Sequence, residues 1–331
     1  MKAIITLLTS FCCLPVGLVA ASIPQAEISN GTVRALLYLP DAQDGYYRGT
    51  RFDWAGVIAH LEYAGHNYAG QWFPKYDPKL HDAIMGPVEE FRTEDAALNY
   101  DAAKPGGTFV KIGVGVLRKP DDKPYVFQKY YEIVDGGKWI IKAAANSVEF
   151  TQELTDPASG YAYLYRKTVR LTPGKPQLVL EHSLTNTGKK SIDTTVYDHN
   201  FFPIDGRPIG PGVSFTFPFD IKAVGDIAPR AEVRGKRLVY LQELEQGKSV
   251  ATEIEGFRPA ATDYDIRLEN AGAGAGVRIT GDHPLSRIYF WSIRATACVE
   301  PYIAMRIDPG RESTWRIAYD FYTLPESGAA R

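Results

Sequence analysis

The feature that most constrains this chain is a series of short runs with strand chemistry, repeated along most of its length and closed off by turn residues. They occupy 33–39, 56–63, 109–117, 125–134, 139–144, 147–154, 161–171, 177–185, 192–197, 213–217, 277–279, 288–294, 302–307 and 313–322. Several alternate apolar and polar residues, as in Thr168-Val-Arg-Leu and Gln177-Leu-Val-Leu-Glu-His-Ser-Leu, the period of a sheet with one buried face. Asp121-Asp-Lys-Pro, Asp135-Gly-Gly, Asp156-Pro-Ala-Ser-Gly, Thr172-Pro-Gly-Lys-Pro, Asn186-Thr-Gly and Asp308-Pro-Gly supply the turns. The expectation is an all-β chain folded as a long antiparallel β-sandwich. Helical spacing is plausible only in short patches, around 94–99. No internal repeat and no linker rich in Pro, Ser or Gly divides the chain, so residues 22–331 read as one domain. Ala271-Gly-Ala-Gly-Ala-Gly lacks the Lys-Ser/Thr of a phosphate loop and reads as a turn.

Composition narrows the function classes. Lys+Arg 37 against Asp+Glu 39 leaves a net charge of −2, with no basic stretch to neutralise a phosphate backbone, so nucleic acid is not an expected partner. With 45% hydrophobic residues, Tyr 20, Phe 15 and Trp 5, there is ample apolar surface for a core. Residues 1–21 begin with Lys2, continue through an apolar run and finish Val19-Ala20-Ala21, the pattern of a secretory signal. Export to the periplasm or medium follows, with cleavage near Ser22 and no stable membrane insertion afterwards. Cys12 and Cys13 lie in that segment, so the mature chain keeps only Cys298 and must be held by core burial rather than a disulfide. A monomer or weak dimer is expected.

Three clusters could carry chemistry. Tyr197-Asp-His-Asn-Phe-Phe-Pro-Ile-Asp205 follows a strand run and gathers polar, titratable and aromatic groups around His199. In Thr296-Ala-Cys-Val-Glu-Pro-Tyr302, Glu300 is the one carboxylate in an otherwise apolar strand end; burial there would raise its pKa and suit it to taking a proton. His81-Asp-Ala-Ile-Met-Gly-Pro-Val-Glu-Glu-Phe91 sets a histidine and carboxylates around a Gly-Pro turn. On a strand Glu89 and Glu90 face opposite sides, so at most one enters a given cleft. Each group also has a purely structural reading: a satisfied histidine at 199, an exposed acid at 300. His182 reads as a strand residue and His283 as a turn residue. His60, His66, His81 and Asp198-His199 show no recognised metal-ligand spacing.

The stretch from Tyr165-Arg-Lys-Thr-Val-Arg-Leu through Gln177-Leu-Val-Leu-Glu-His-Ser-Leu-Thr-Asn-Thr-Gly to Asp198-His-Asn-Phe-Phe, with Val299-Glu-Pro-Tyr and Ile307-Asp-Pro-Gly, resembles the galactose mutarotase-like (aldose 1-epimerase) superfamily. The resemblance covers about 165–325 and is looser before it, where Tyr46-Tyr-Arg-Gly-Thr-Arg and Gly86-Pro-Val-Glu-Glu-Phe fall in the corresponding order. It implies an antiparallel β-supersandwich with an open carbohydrate cleft. By resemblance, His199 protonates the sugar ring oxygen and Glu300 removes the anomeric hydroxyl proton, with no metal or organic cofactor. His81, His66, Arg48, Arg51, Glu90, Trp72 and Asp198 are the candidate substrate contacts. The family's first-half His-Gly-Gly is missing, which leaves substrate and reaction open. A lyase or glycosidase pairing Glu89 or Glu90 with Glu300 is one alternative. A non-catalytic glycan-binding module stacking sugar on Trp54, Tyr68, Trp72 and Phe73 is the other.

Overall fold

The computed structural model describes residues 23–325; the expected signal segment, with Cys12 and Cys13, lies outside them. The strands form four antiparallel sheets. The largest runs Ala231–Arg234, Arg237–Tyr240, Val213–Thr216, Asp265–Asn270, Ala275–Gly281, Glu312–Thr323, Gln177–Asn186, Tyr161–Leu171, Ser147–Asp156, Lys138–Ala144 in spatial order. A six-stranded sheet runs Lys222–Ala223, Ser249–Glu255, Arg287–Ile293, Thr296–Ile307, Ile192–Asn200, Pro87–Arg92. Smaller sheets of four strands (Gln25–Ser29, Val33–Tyr38, Val57–Tyr63, His66–Asn67) and three (Thr108–Lys111, Gly115–Arg118, Ile133–Asp135) complete the set.

The two large sheets bury their apolar faces against each other. Phe91 of the six-stranded sheet packs edge-on against Tyr165 and Trp315 of the larger one, at 5.4 and 6.0 Å between ring centres, and Phe290 meets Phe215 at 4.8 Å. Strand alternation decides what else enters this core. In Pro87–Arg92, Glu89 and Phe91 point inward while Val88, Glu90 and Arg92 point to the other side. Glu89 is therefore buried among the sheets, where it binds the Lys167 ammonium and stands 2.6 Å from His182 Nε2. Asp53, held by the Tyr165 hydroxyl at 2.9 Å, and Asp198, 2.5 Å from the Tyr319 hydroxyl, line the same polar seam. A second aromatic cluster, including Tyr47, Phe52, Trp54, Phe109, Tyr131 and Phe201, covers part of the opposite face of the six-stranded sheet. Gly86 sets the entry to that sheet: its φ of +76° suits glycine, and a Cβ there would stand 2.6 Å from Ile58 Cβ.

Several boundaries differ from expectation, for physical reasons. The run 109–117 is a hairpin, broken at Ile112–Val114 around Gly113 at φ +77°. Most of 125–134 is loop, because its aromatics pack as a cluster rather than alternate; Tyr125 stacks on Tyr131 at 5.3 Å. The patch 94–99 is turn and isolated bridge, not helix. Strands at Pro87–Arg92, Ala231–Arg234, Arg237–Tyr240, Ser249–Glu255 and Asp265–Asn270 carry charged residues that hide them in the sequence, in Pro87–Arg92 on the inward face as well. The two site strands are longer than their apolar runs, reaching Asn200 and starting at Thr296, so His199 and Glu300 sit within strands rather than beyond them.

Candidate active-site cleft

Pairing within the six-stranded sheet fixes a grid of side chains on the face turned away from the core. Tyr197 pairs with Glu90 on one side and Tyr302 on the other, Tyr302 with Arg287, and Glu300 with Tyr289. Alternation then puts Arg92, His199, Glu300 and Trp291 on that same face. A cleft of about 410 Å³ opens over it, bounded also by Arg51, Trp72, His81, Asp82, Phe127, Gln128 and Phe201.

At its floor His199 Nε2 lies 3.2 Å from Glu300 Oε1, with both side chains about 5% exposed. The imidazole stacks on Phe201 at 3.8 Å and meets Phe52 and Trp291 edge-on at 5.7 Å each. Its Nδ1 is buried with no hydrogen-bond partner. Tyr302 OH stands 3.4 Å from Glu300 Oε2. Burial pushes Glu300 up to about 8, the nearby Glu90 charge adding to this and Arg51 opposing it. Burial, reinforced by the Arg51 charge, pulls His199 well below its ordinary value. Both shifts favour the uncharged forms of the two groups.

Arg51 organises the adjoining wall. Its Nε donates to Glu90 at 2.8 Å, its NH1 to Asp82 and its NH2 to the Tyr197 hydroxyl at 3.2 Å. Phe52 and Phe127 hold its guanidinium at 4.3 Å from each ring centre. Glu90 also binds Lys111 Nζ at 3.0 Å and the Tyr197 hydroxyl at 2.5 Å. Burial acts against ionising Glu90, but the Lys111 and Arg51 charges outweigh it and hold this carboxyl far below the usual range. For Asp82, burial is likewise outweighed, here by the His81 hydrogen bond and the Arg51 charge.

Of the residues singled out from sequence, His199, Glu300, Arg51, His81 and Trp72 converge on this cleft. Four do not. Asp198 alternates into the core, Glu90 is saturated beneath the wall, and His66 is tied 2.7 Å from Asp205 Oδ2 on another edge. Arg48 bonds the Gln43 carbonyl instead. Trp54, Tyr68 and Phe73, the other proposed stacking aromatics, are buried. Sequence reasoning missed Arg92, Arg287, Tyr302 and Trp291. Period-two alternation from Glu90 and Glu300 reaches Arg92 and Tyr302, whereas Arg287 and Trp291 need the strand register.

The sequence matches no protein-family model and no curated protein. Solved structures are similar over nearly the whole chain. An aldose epimerase homologue from C. elegans aligns with TM-score 0.58 at 14% identity, over 92% of this chain and 100% of that one. A galactose mutarotase related enzyme from Lactobacillus acidophilus gives 0.56 at 11%, over 91% and 98%. A galactose mutarotase-like protein from Clostridium acetobutylicum gives 0.55 at 12%, over 92% and 99%. At such identities the likeness is one of fold, and the fold of this chain is that of the galactose mutarotase-like β-sandwiches.

Proposed function

We propose that the protein is a carbohydrate-active enzyme that interconverts the anomers of an aldose, with His199 and Glu300 as its acid–base pair. The observation that carries this reading is the 3.2 Å contact between His199 Nε2 and Glu300 Oε1 on the floor of an aromatic-walled cleft. Ring opening needs one proton delivered to the ring oxygen as the bond from that oxygen to the anomeric carbon breaks, and one taken from the anomeric hydroxyl. Rotation of the aldehyde and the reverse transfers close the other anomer. A pair holding one proton supplies both a donor and an acceptor. The resemblance makes His199 the donor, while burial leaves the resting proton on Glu300, so the proton crosses the short contact when substrate enters. The two-carboxylate alternative loses support because Glu89 faces the core and Glu90 is already saturated. Together with the amino-terminal apolar segment, the reading extends to an exported enzyme acting on sugar outside the cytoplasm.

The test is proton NMR of anomer exchange across hexoses, pentoses and uronates. Glu300→Gln should keep sugar binding and lose turnover, and His199→Asn should lower the rate by roughly 10²–10⁴-fold. Wild-type rates in both variants, or no acceleration of any aldose by the wild type, would remove this reading.

A further inference from the structure

Three arginines line the cleft, and their partners differ. Arg51 is consumed by Glu90, Asp82 and Tyr197. Arg287 engages Glu253 through Nε and NH2, and its NH1 makes no hydrogen bond among the described residues. Arg92 is held more loosely: its side chain is 16% exposed, its Nε is buried without a partner among the described residues, its NH2 lies 3.4 Å from the Asp95 carbonyl and 3.5 Å from that residue's 98% exposed carboxylate, and the Glu90 charge and the Tyr302 hydroxyl also act on it. Glu90, the nearest buried acid, is already shared by Arg51 and Lys111. The Glu90 charge and the Tyr302 hydroxyl favour the guanidinium, yet its buried Nε keeps an unspent donor that an anion in the cleft would take.

The grid also says where that anion would sit. Arg92 pairs with Thr195, one step along from Tyr197, whose ring stacks on Tyr302 at 4.2 Å. Arg287 covers the Tyr302 ring at 4.9 Å. Both guanidiniums thus border Tyr302, one row from Glu300, at the end of the cleft away from Trp72 and Trp291. Five donors in a planar fork suit Arg to a carboxylate or phosphate.

We propose that the sugar taken by this cleft is acidic, its carboxylate or phosphate bound by Arg92 with the free edge of Arg287. This rests on the epimerase reading for its chemistry but not for its binding. The test measures anomer exchange for glucose, glucuronate and glucose 6-phosphate, with binding of each followed by the fluorescence of Trp72 and Trp291. The expected result is kcat/KM for one acidic sugar about 10- to 100-fold above glucose, the worth of one charged hydrogen bond. Arg92→Gln should erase most of that preference, raising KM for the acidic sugar more than it lowers kcat, and Arg92→Lys should restore part of it. The uronate and phosphate arms tell which anion is used. Acidic sugar bound through Arg92 without turnover would overturn the epimerase reading and keep this one. Equal use of glucose and both acidic sugars, or equal losses for all three in Arg92→Gln, would overturn this one and keep the other. Should Arg92→Gln fail to fold, the Arg92→Lys variant and Arg287→Gln carry the same comparison.

Discussion

At the scale of single residues, the cleft places two titratable groups where their ordinary pKa values are reversed. Glu300 rises to about 8 because water is excluded from it, and His199 falls for the same reason, with Arg51 adding to the fall. Below the histidine limb both groups carry protons and no base remains; above about 8 both have lost them and no acid remains. On the proposed epimerase reading, the rate of anomer exchange above the buffer background should therefore be bell-shaped, with an alkaline limb near pH 8 and an acid limb well below 6.5. The residual activity of Glu300→Gln should lack the alkaline limb. A flat wild-type profile from pH 5 to 9.5 would separate catalysis from this pair.

At the scale of elements, one short strand divides its work between two environments. Pro87–Arg92 sends Glu89 into the core seam and Glu90 under the cleft wall, so adjacent carboxylates satisfy separate sets of cations. Glu90 neutralises Lys111, whose side chain is fully buried, and also Arg51. Glu90→Gln leaves these cations under-compensated, and breaking a buried pair from one side costs about 3–5 kcal/mol. Urea unfolding should report that loss, and Lys111→Met in the same background should recover part of it. A Glu90→Gln variant within 1 kcal/mol of wild type, an outcome well below that range, would mean that the two cations find other partners. The strand itself hides in the sequence, because three of its six residues are charged and its inward glutamate breaks the usual apolar alternation.

At the scale of the molecule, the seam between the sheets gives stability an unusual pH dependence. Burial raises Asp53 to about 7 and Asp198 to about 8, with the Glu89 charge adding to both. The folded state keeps these acids protonated where the unfolded chain, ionising at about 3.9, has released its protons. Their contribution is whole below that value and is lost as pH climbs through 7 and 8. Glu89 and Glu90 act oppositely: their carboxyls are held low by Lys167 and Lys111 against the cost of burial, and their contribution fades only in acid. Tm should therefore be highest in mildly acidic buffer and fall by roughly 5 °C between pH 5 and 8.5. Asp198→Asn should flatten that fall. A Tm that rises over the range, or a slope unchanged in both Asp198→Asn and Asp53→Asn, would show the seam to be ionised in the native protein.

Local pattern alone determined the sandwich class and the strands whose outer faces are polar and inner faces apolar, such as Tyr161–Leu171, whose limits are those of its sequence run. It also brought out Glu300, a lone carboxylate in an apolar strand end, and His199, in a short run dense in polar, titratable and aromatic groups, without any knowledge of pairing. Which carboxylate faces the core, and which arginine keeps an unpartnered donor, was decided only by tertiary structure. Asp198 and His199 are neighbours in sequence yet lie on opposite faces of one sheet. Arg287 reaches the site solely because its strand pairs with that of Glu300. Register between strands far apart in sequence is set by the packing of whole faces, and no short window contains that information.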